Sequence, residues 1–267
     1  MTLLHLFIIA TVQGLTEFLP ISSSGHLILI PYVTNWPDQG QVIDVAVHIG
    51  TLMAVILYFR RDVIPAFAGI PRMLTGRIDT PGSRLAFLLM IATIPVVLVG
   101  LLLVITDMTD MLRSIKVIGW TMLIFGVLLY WVDQKGATTK AERDWSLRHA
   151  ILLGLWQAVA LIPGTSRSGI TITAARALGY ARHDAAKISM LMSIPTIIAS
   201  GTLLGIKALA DADMAALRDG AIGVIFAFFA ALLALSLMMR LLRSISFTPY
   251  VIYRVILGII LLSIAYS

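Results

Sequence analysis

Six stretches of the chain are apolar for long enough to cross a bilayer core as helices, about 41–59, 83–106, 115–133, 187–207, 219–240 and 248–266, since roughly 20 such residues are needed for a span. Two further apolar regions, about 3–35 and 146–180, are each interrupted midway, at Pro20 to Gly25 and at Pro163 to Gly169. Backbone that leaves the helix at membrane depth is tolerated only where protein or a polar cavity surrounds it. The pattern therefore predicts two hairpins of shorter helices, each entering the membrane, turning, and leaving by the same face.

The two halves of the chain resemble each other. Adding 144 takes Gln13 to Gln157 and takes Ser22, Ser24 and Gly25 to Ser166, Ser168 and Gly169, while the prolines slip by one. Each half reads as one hairpin followed by three spans, and because three is odd the second half enters from the opposite side of the membrane. The expected fold is an all-α polytopic membrane protein with an inverted-topology repeat, each half a re-entrant helical hairpin plus three transmembrane helices. It forms a single integral membrane domain over 1–267, with repeat one about 1–135 and repeat two about 146–267. Broken helices that meet in such a repeat build a midplane site.

Composition agrees with this pattern. A chain that is 59% hydrophobic and 13% charged has too little polar surface to cover a soluble globule. No basic residue precedes the first apolar run and no small-residue cleavage signal stands out, so the first segment is expected to stay in the fold rather than act as a signal peptide. The absence of cysteine excludes disulfides, thiolate metal sites and cysteine nucleophiles. A net charge of +6 would suit nucleic acid, but the basic residues lie in short loops between apolar runs, where topology explains them.

Those loops also set the orientation. Arg60, Arg61, Arg72, Arg77 and Arg84 fall in 60–84, Lys135, Lys140, Arg143 and Arg148 in 134–149, and Arg240 and Arg243 in 240–243. The other side carries only Arg113, Lys116, Lys207 and Arg218, beside Asp107, Asp110, Asp211, Asp213 and Asp219. The positive-inside rule puts the first group in the cytoplasm, so the first hairpin opens outward and the second inward.

The hairpin breaks carry the candidate chemistry. Gln13 and Glu17 are four apart and share a helix face aimed at the first break. An ionised carboxylate near the membrane centre costs about 2.5–3.5 kcal/mol on insertion scales, so Glu17 needs a proton, a cation or water nearby, unless it is only a packing hydrogen bond. Ser22, Ser23, Ser24 and Gly25 form a helix start whose free N–H groups suit an anion, and His26 follows as a nucleophile or base toward phosphorus. The second break adds Arg167, whose planar fork fits phosphate oxygens, between Ser166 and Ser168, with Thr171 one helical turn on. A purely structural pairing of Arg167 with Glu17 is the alternative. Asp44 and His48 form a further pair inside the first span, as a structural hydrogen bond or as support for the site. Arg176 and Arg254 are expected to snorkel or pair near the membrane edge. His5, His149 and His183, near segment ends, need no role.

At these residues the chain resembles the bacterial undecaprenyl-pyrophosphate phosphatase family, also called bacitracin-resistance proteins, over essentially its whole length. The likeness lies in Glu/Gln-x-x-x-Glu at Gln13 to Glu17, in Phe18-Leu19-Pro20 with Ser-Ser-x-Gly-His at Ser22 to His26, and in Pro-Gly-x-Ser-Arg-Ser-Gly-x-Thr at Pro163 to Thr171. The resemblance implies hydrolysis of undecaprenyl pyrophosphate to the monophosphate carrier and inorganic phosphate at a bacterial inner membrane, supporting peptidoglycan synthesis and conferring bacitracin resistance. It implies Glu17, Ser23, His26 and Arg167 as catalytic residues, with His26 the expected attacking group and Ser23 its alternative. Gln13, Ser22, Ser24, Ser166, Ser168 and Thr171 would join Arg167 in binding the diphosphate. Glu17 would repel this substrate unless it is protonated or a divalent cation, Mg²⁺ or Ca²⁺, bridges them, though Gln13 stands where the motif also allows a second acid. The partners expected are the polyprenyl pyrophosphate lipid and the membrane, with a homodimer left open and no nucleic acid. Two rival readings remain: the acid phosphatase motif of membrane phosphatidate phosphatases, which expects histidine where Thr173 stands, and a transporter or lipid flippase built on the same broken-helix repeat.

Overall fold

The structure is a computed structural model that describes all residues except Asn35, Asp107, Thr109, Asp110, Met111, Arg113, Asp211 and Ala212. The charges expected at Asp107, Asp110, Arg113 and Asp211 thus lie outside the described residues, as does the side chain of Lys207. The chain is all-helical, and among the described residues the only strand-like pairing is one isolated bridge between Lys140 and Tyr180.

The first apolar region forms α1 (Leu3–Phe18), α2 (Ser23–Leu27) and α3 (Leu29–Thr34). The second forms α8 (Leu147–Val159) and α9 (Arg167–Ala177). Each break leaves the helix where Pro and Gly withdraw donors and Cβ constraints from the backbone. The spans are α4 (Gly40–Tyr58), α6 (Pro81–Ile105), α7 (Ile115–Lys135), α10 (Arg182–Ala210), α11 (Met214–Leu241) and α12 (Thr248–Tyr266). All six carry windows long and apolar enough to cross a membrane, so the chain is a multi-pass membrane protein.

The segment 60–84, expected as a loop, contains a further helix, α5 (Arg60–Leu74). Its mean hydropathy is too low to register as a span, but Val63, Ala66 and Gly69 are buried against α6 while Ile64, Phe67 and Leu74 are exposed. An apolar face beside Arg60, Arg61 and Arg72 is the make-up of a helix lying in the membrane interface.

The halves exchange partners. Helix α1 packs on α11 and α8 on α6; likewise α4 packs on α11 and α10 on α6, while α4 meets α10 and α7 meets α12. Small residues permit the close crossings that lipid-embedded helices depend on. A Cβ at Gly14 would sit 2.6 Å from the Ala227 carbonyl oxygen, and one at Gly154 would sit 2.6 Å from that of Ala92. The return helix α9 is enclosed by α7, α8 and α10, with Ser168 through Arg176 buried.

The basic segments meet on one face. Arg84 donates to the Trp145 carbonyl at 2.7 Å, and the Lys187 ammonium contacts Asp62 at 2.8 Å and Glu142 at 2.6 Å. Arg176, expected near the membrane edge, is fully buried there and shares Asp133 with Arg182, at 3.0 and 2.8 Å.

Candidate active site

On α1, Gln13 and Glu17 lie one turn apart and face the break, as their spacing requires. The Glu17 Oε2 accepts from the Gln13 amide at 3.0 Å and from the Ser23 hydroxyl at 3.1 Å. Ser23 opens α2 because the preceding Ser22 turns the chain at φ 71°, ψ 99°. This left-handed conformation costs an L-residue energy unless its surroundings fix it. Here the Ser22 and Ser24 hydroxyls bond each other at 3.0 Å, and Ser24 accepts the Gly164 N–H of the other hairpin at 3.1 Å.

Ser166 repeats the turn at φ 70°, ψ 112°, and its hydroxyl caps α9 by accepting from the Gly169 N–H at 3.1 Å. The next residue is Arg167, so the turn aims a guanidinium where the first hairpin aims a hydroxyl. Arg167 donates to Glu17 Oε1 at 3.2 Å and to the Ser189 carbonyl of α10 at 3.0 Å. The acid of one hairpin and the cation of the other therefore meet across 150 residues of sequence.

A cavity of about 700 Å³ lies beside this pair, walled by Gln13, Ser23, Ser24, His48 and Pro163. It reaches Asp38 and Asp44 at the start of α4 and Leu204 near the end of α10. Because α4 runs toward the basic face and α10 away from it, the cavity opens on the opposite face.

Of the expected site residues, Gln13, Glu17, Ser23 and Arg167 are brought together. His26 is not among them. Its Nδ1 bonds the Ser22 carbonyl at 2.7 Å and its Nε2 the Tyr253 hydroxyl at 2.7 Å, with the rings stacked 5.4 Å apart; like Glu17 and Arg167 it is not itself a wall residue of the cavity, but unlike them it makes no hydrogen bond with the cluster at Glu17. Ser22, Ser24, Ser166 and Ser168 join the two turns, Ser168 donating to the Leu19 carbonyl at 3.0 Å. Thr171 is fully buried, bonded to the Arg167 carbonyl at 2.8 Å and the Ser189 hydroxyl at 2.6 Å, so it props Arg167 rather than lining the cavity. Thr173 donates to the Gly169 carbonyl at 2.7 Å inside α9 and offers nothing to the acid phosphatase reading.

Three further residues join the site. His48 bonds not the Asp44 side chain but its carbonyl, at 2.7 Å, which sets Nδ1 as the donor and leaves Nε2 to accept from Gln13 at 3.1 Å. Ser189 carried no motif. Arg254, expected at the membrane edge, is fully buried, and its NH2 bonds the carbonyls of Gly164 at 3.1 Å and Thr165 at 3.0 Å. Its NH1 reaches the Pro20 carbonyl at 3.5 Å, so one guanidinium ties both hairpin turns. A lone arginine inside the last apolar span was itself the signal, since intramembrane charges are costly and kept for a reason.

The donor set suits a hard divalent cation only in part. Glu17 is the one carboxylate, His48 Nε2 lies 3.8 Å from it, and the Gln13 Oε1 is buried with no hydrogen-bond partner, an unused oxygen ligand. Among the described residues no group of three His, Cys, Asp or Glu converges. One carboxylate, with the Gln13 amide turned to present its oxygen, would leave an ion such as Mg²⁺ to complete its shell with water and substrate phosphates.

A family model described as bacitracin resistance protein BacA matches residues 6–260. Proteins named undecaprenyl-diphosphatase from Dinoroseobacter shibae and Ruegeria pomeroyi are each 68% identical over 267 residues, the whole of both chains. Another of that name, from Chromohalobacter salexigens, is 46% identical over 259 residues, 97% of both chains.

Proposed function

We infer that this chain, which belongs to the bacitracin resistance protein BacA family, is an undecaprenyl-diphosphatase. It hydrolyses undecaprenyl diphosphate to undecaprenyl phosphate and inorganic phosphate, returning the lipid carrier to peptidoglycan synthesis, with bacitracin resistance as a consequence. The observation that carries the site assignment is the Ser23 hydroxyl, which walls the cavity and donates to Glu17 while Glu17 is paired with Arg167.

The chemistry follows from those contacts. A diphosphate entering the cavity takes the Arg167 fork, which stabilises charge on the equatorial oxygens. Glu17 is then free to accept the Ser23 proton as Oγ bonds the terminal phosphorus and the bridging P–O bond breaks, expelling the polyprenyl phosphate. The departing polyprenyl phosphate carries that proton away, so Glu17 can deprotonate the water that attacks the phosphoserine, and the proton passes from Glu17 to Ser23 Oγ as phosphate leaves. A divalent cation held by Glu17, Gln13 Oε1 and His48 would supply further neutralisation of the phosphates. His26 holds the Ser22 carbonyl and so the direction of Ser23, a positioning role in place of attack. All these groups come from one chain.

The protein resides in the bacterial inner membrane with the basic segments cytoplasmic and the cavity open to the outer side. The partner exchange between halves, the two turns of matching φ and the odd span count support an inverted repeat, 1–135 against 146–267. Purified protein should release inorganic phosphate from undecaprenyl diphosphate, lose the activity to a chelator, and regain it with Mg²⁺ or Ca²⁺. No release would end the functional reading, and chelator-insensitive release would end the cation. Because the chain has no cysteine, single cysteines placed in 60–84 test the orientation: labelling from outside intact cells would reverse it.

A further inference from the structure

The diphosphate site explains only the head of its substrate. A long isoprenoid must leave the site cavity of about 700 Å³ and reach lipid without exposing its chain to water. Two apolar grooves of comparable character lie along α10. One, of about 560 Å³, runs between α5, α6 and α10 and shares no wall residue with the site cavity. The other, of about 340 Å³, runs between α10 and α11 over a floor of α4, and Val45 and Gly201 wall both it and the site cavity. Its rim residues Ile49 and Leu217 are exposed on membrane spans, and among the described residues that wall it the only hydroxyl is Thr202.

Gly201 stands at the junction. A Cβ there would meet no atom within 4 Å, and one at Gly205 would meet only Val45, at 3.7 Å. Glycine inside a helix forgoes helix propensity, and packing gives no reason for it at a position facing open space. Gly14 and Gly154, by contrast, are explained by the neighbouring backbone against which they lie. Space at Gly201 has value only if something else passes there.

We propose that the cleft between α10 and α11 is the lateral portal for the substrate's isoprenoid chain, and that Gly201 sets how much chain the enzyme can use. The proposal rests on the diphosphatase reading above. The head-proximal isoprene units lie along Val45, Ala46 and Val224, the remainder continues into lipid, and the chain's burial strengthens binding in ground and transition state alike, which lowers KM.

The test is kcat/KM of purified protein over dimethylallyl, geranyl, farnesyl and undecaprenyl diphosphate. In the parent, kcat/KM should rise with chain length. Gly201→Phe should flatten that rise, lowering the undecaprenyl-to-dimethylallyl ratio at least tenfold, with the change carried by KM. Ala199→Phe, in the separate groove, should keep the parent's ratio. A rise undiminished in Gly201→Phe, a parent with no rise, or an equal fall in Ala199→Phe overturns the portal. If Gly201→Phe does not fold, Gly201→Leu is read by the same criteria. Absence of turnover by the parent on every diphosphate would instead overturn the diphosphatase reading, and the portal with it.

Discussion

The two hairpin turns share a backbone and divide the labour. Ser22 and Ser166 adopt nearly the same φ, and each hydroxyl pairs with that of the serine two residues on, at 3.0 and 3.1 Å. What differs is the residue each turn aims. In the first, Ser23 points a hydroxyl at Glu17; 144 positions later Arg167 points a guanidinium at the same carboxylate. The second turn is also the sturdier. Ser166 caps an eleven-residue helix, whereas Ser22 makes no cap bond to the five residues of α2. Arg254 takes two carbonyls from the second turn and one, at 3.5 Å, from the first. In the proposed mechanism one local fold serves as a reactive arm where it is lightly tied and as a phosphate clamp where it is buried and capped.

Removing the reactive arm should break the comparison most severely. Ser23→Ala is expected to lower kcat by about 10³ or more, roughly 4 kcal/mol of transition-state stabilisation, with the protein still folded. Glu17→Gln should cost about 10²–10⁴, the range of a lost general base. Combining the two should cost far less than the sum, since both serve one proton transfer. Phosphate release at saturating substrate measures all three, and a Ser23→Ala enzyme within tenfold of the parent would return the attacking role to another group.

On the clamp side, Arg167→Lys keeps the charge and loses the fork, so kcat should fall at least about tenfold, or roughly 1.4 kcal/mol. A lysine variant that turns over like the parent would show that Arg167 serves only to neutralise Glu17.

Arg254→Met tests what holds the turns together. It leaves the Gly164 and Thr165 carbonyls unbonded, and a bond to a charged donor contributes about 1.5–3 kcal/mol. Thermal unfolding in detergent should shift down by an equivalent of about 2–4 kcal/mol. A variant as stable as the parent would mean that the turns hold themselves.

The smallest effect separates the serines. Ser166→Ala removes a helix cap and should cost about 1 kcal/mol of stability. Ser22→Gly removes no cap and relieves a positive φ, so it should be neutral or stabilising by up to about 1 kcal/mol. Equal losses at both would erase the distinction between a capped and an uncapped turn.

Hydropathy and the placement of Pro and Gly were enough to set the six spans and the two interrupted helical regions, because a bilayer judges each segment by its own length and polarity. The same reasoning marked Glu17, His26 and Arg167 as unusual at membrane depth, and Ser23 entered as an attacking group only through the family resemblance. It could not choose between Ser23 and His26, three residues apart on a short helix, since one of the two groups that hold the imidazole, Tyr253, stands on α12. Nor could it find α5, whose apolar face is too narrow to read as a span, or foresee that Arg254 is buried in the junction of the turns rather than at the membrane edge. A segment's partition into the membrane is a property of its own residues, while the direction and partner of a buried polar side chain depend on groups supplied by helices far away in sequence.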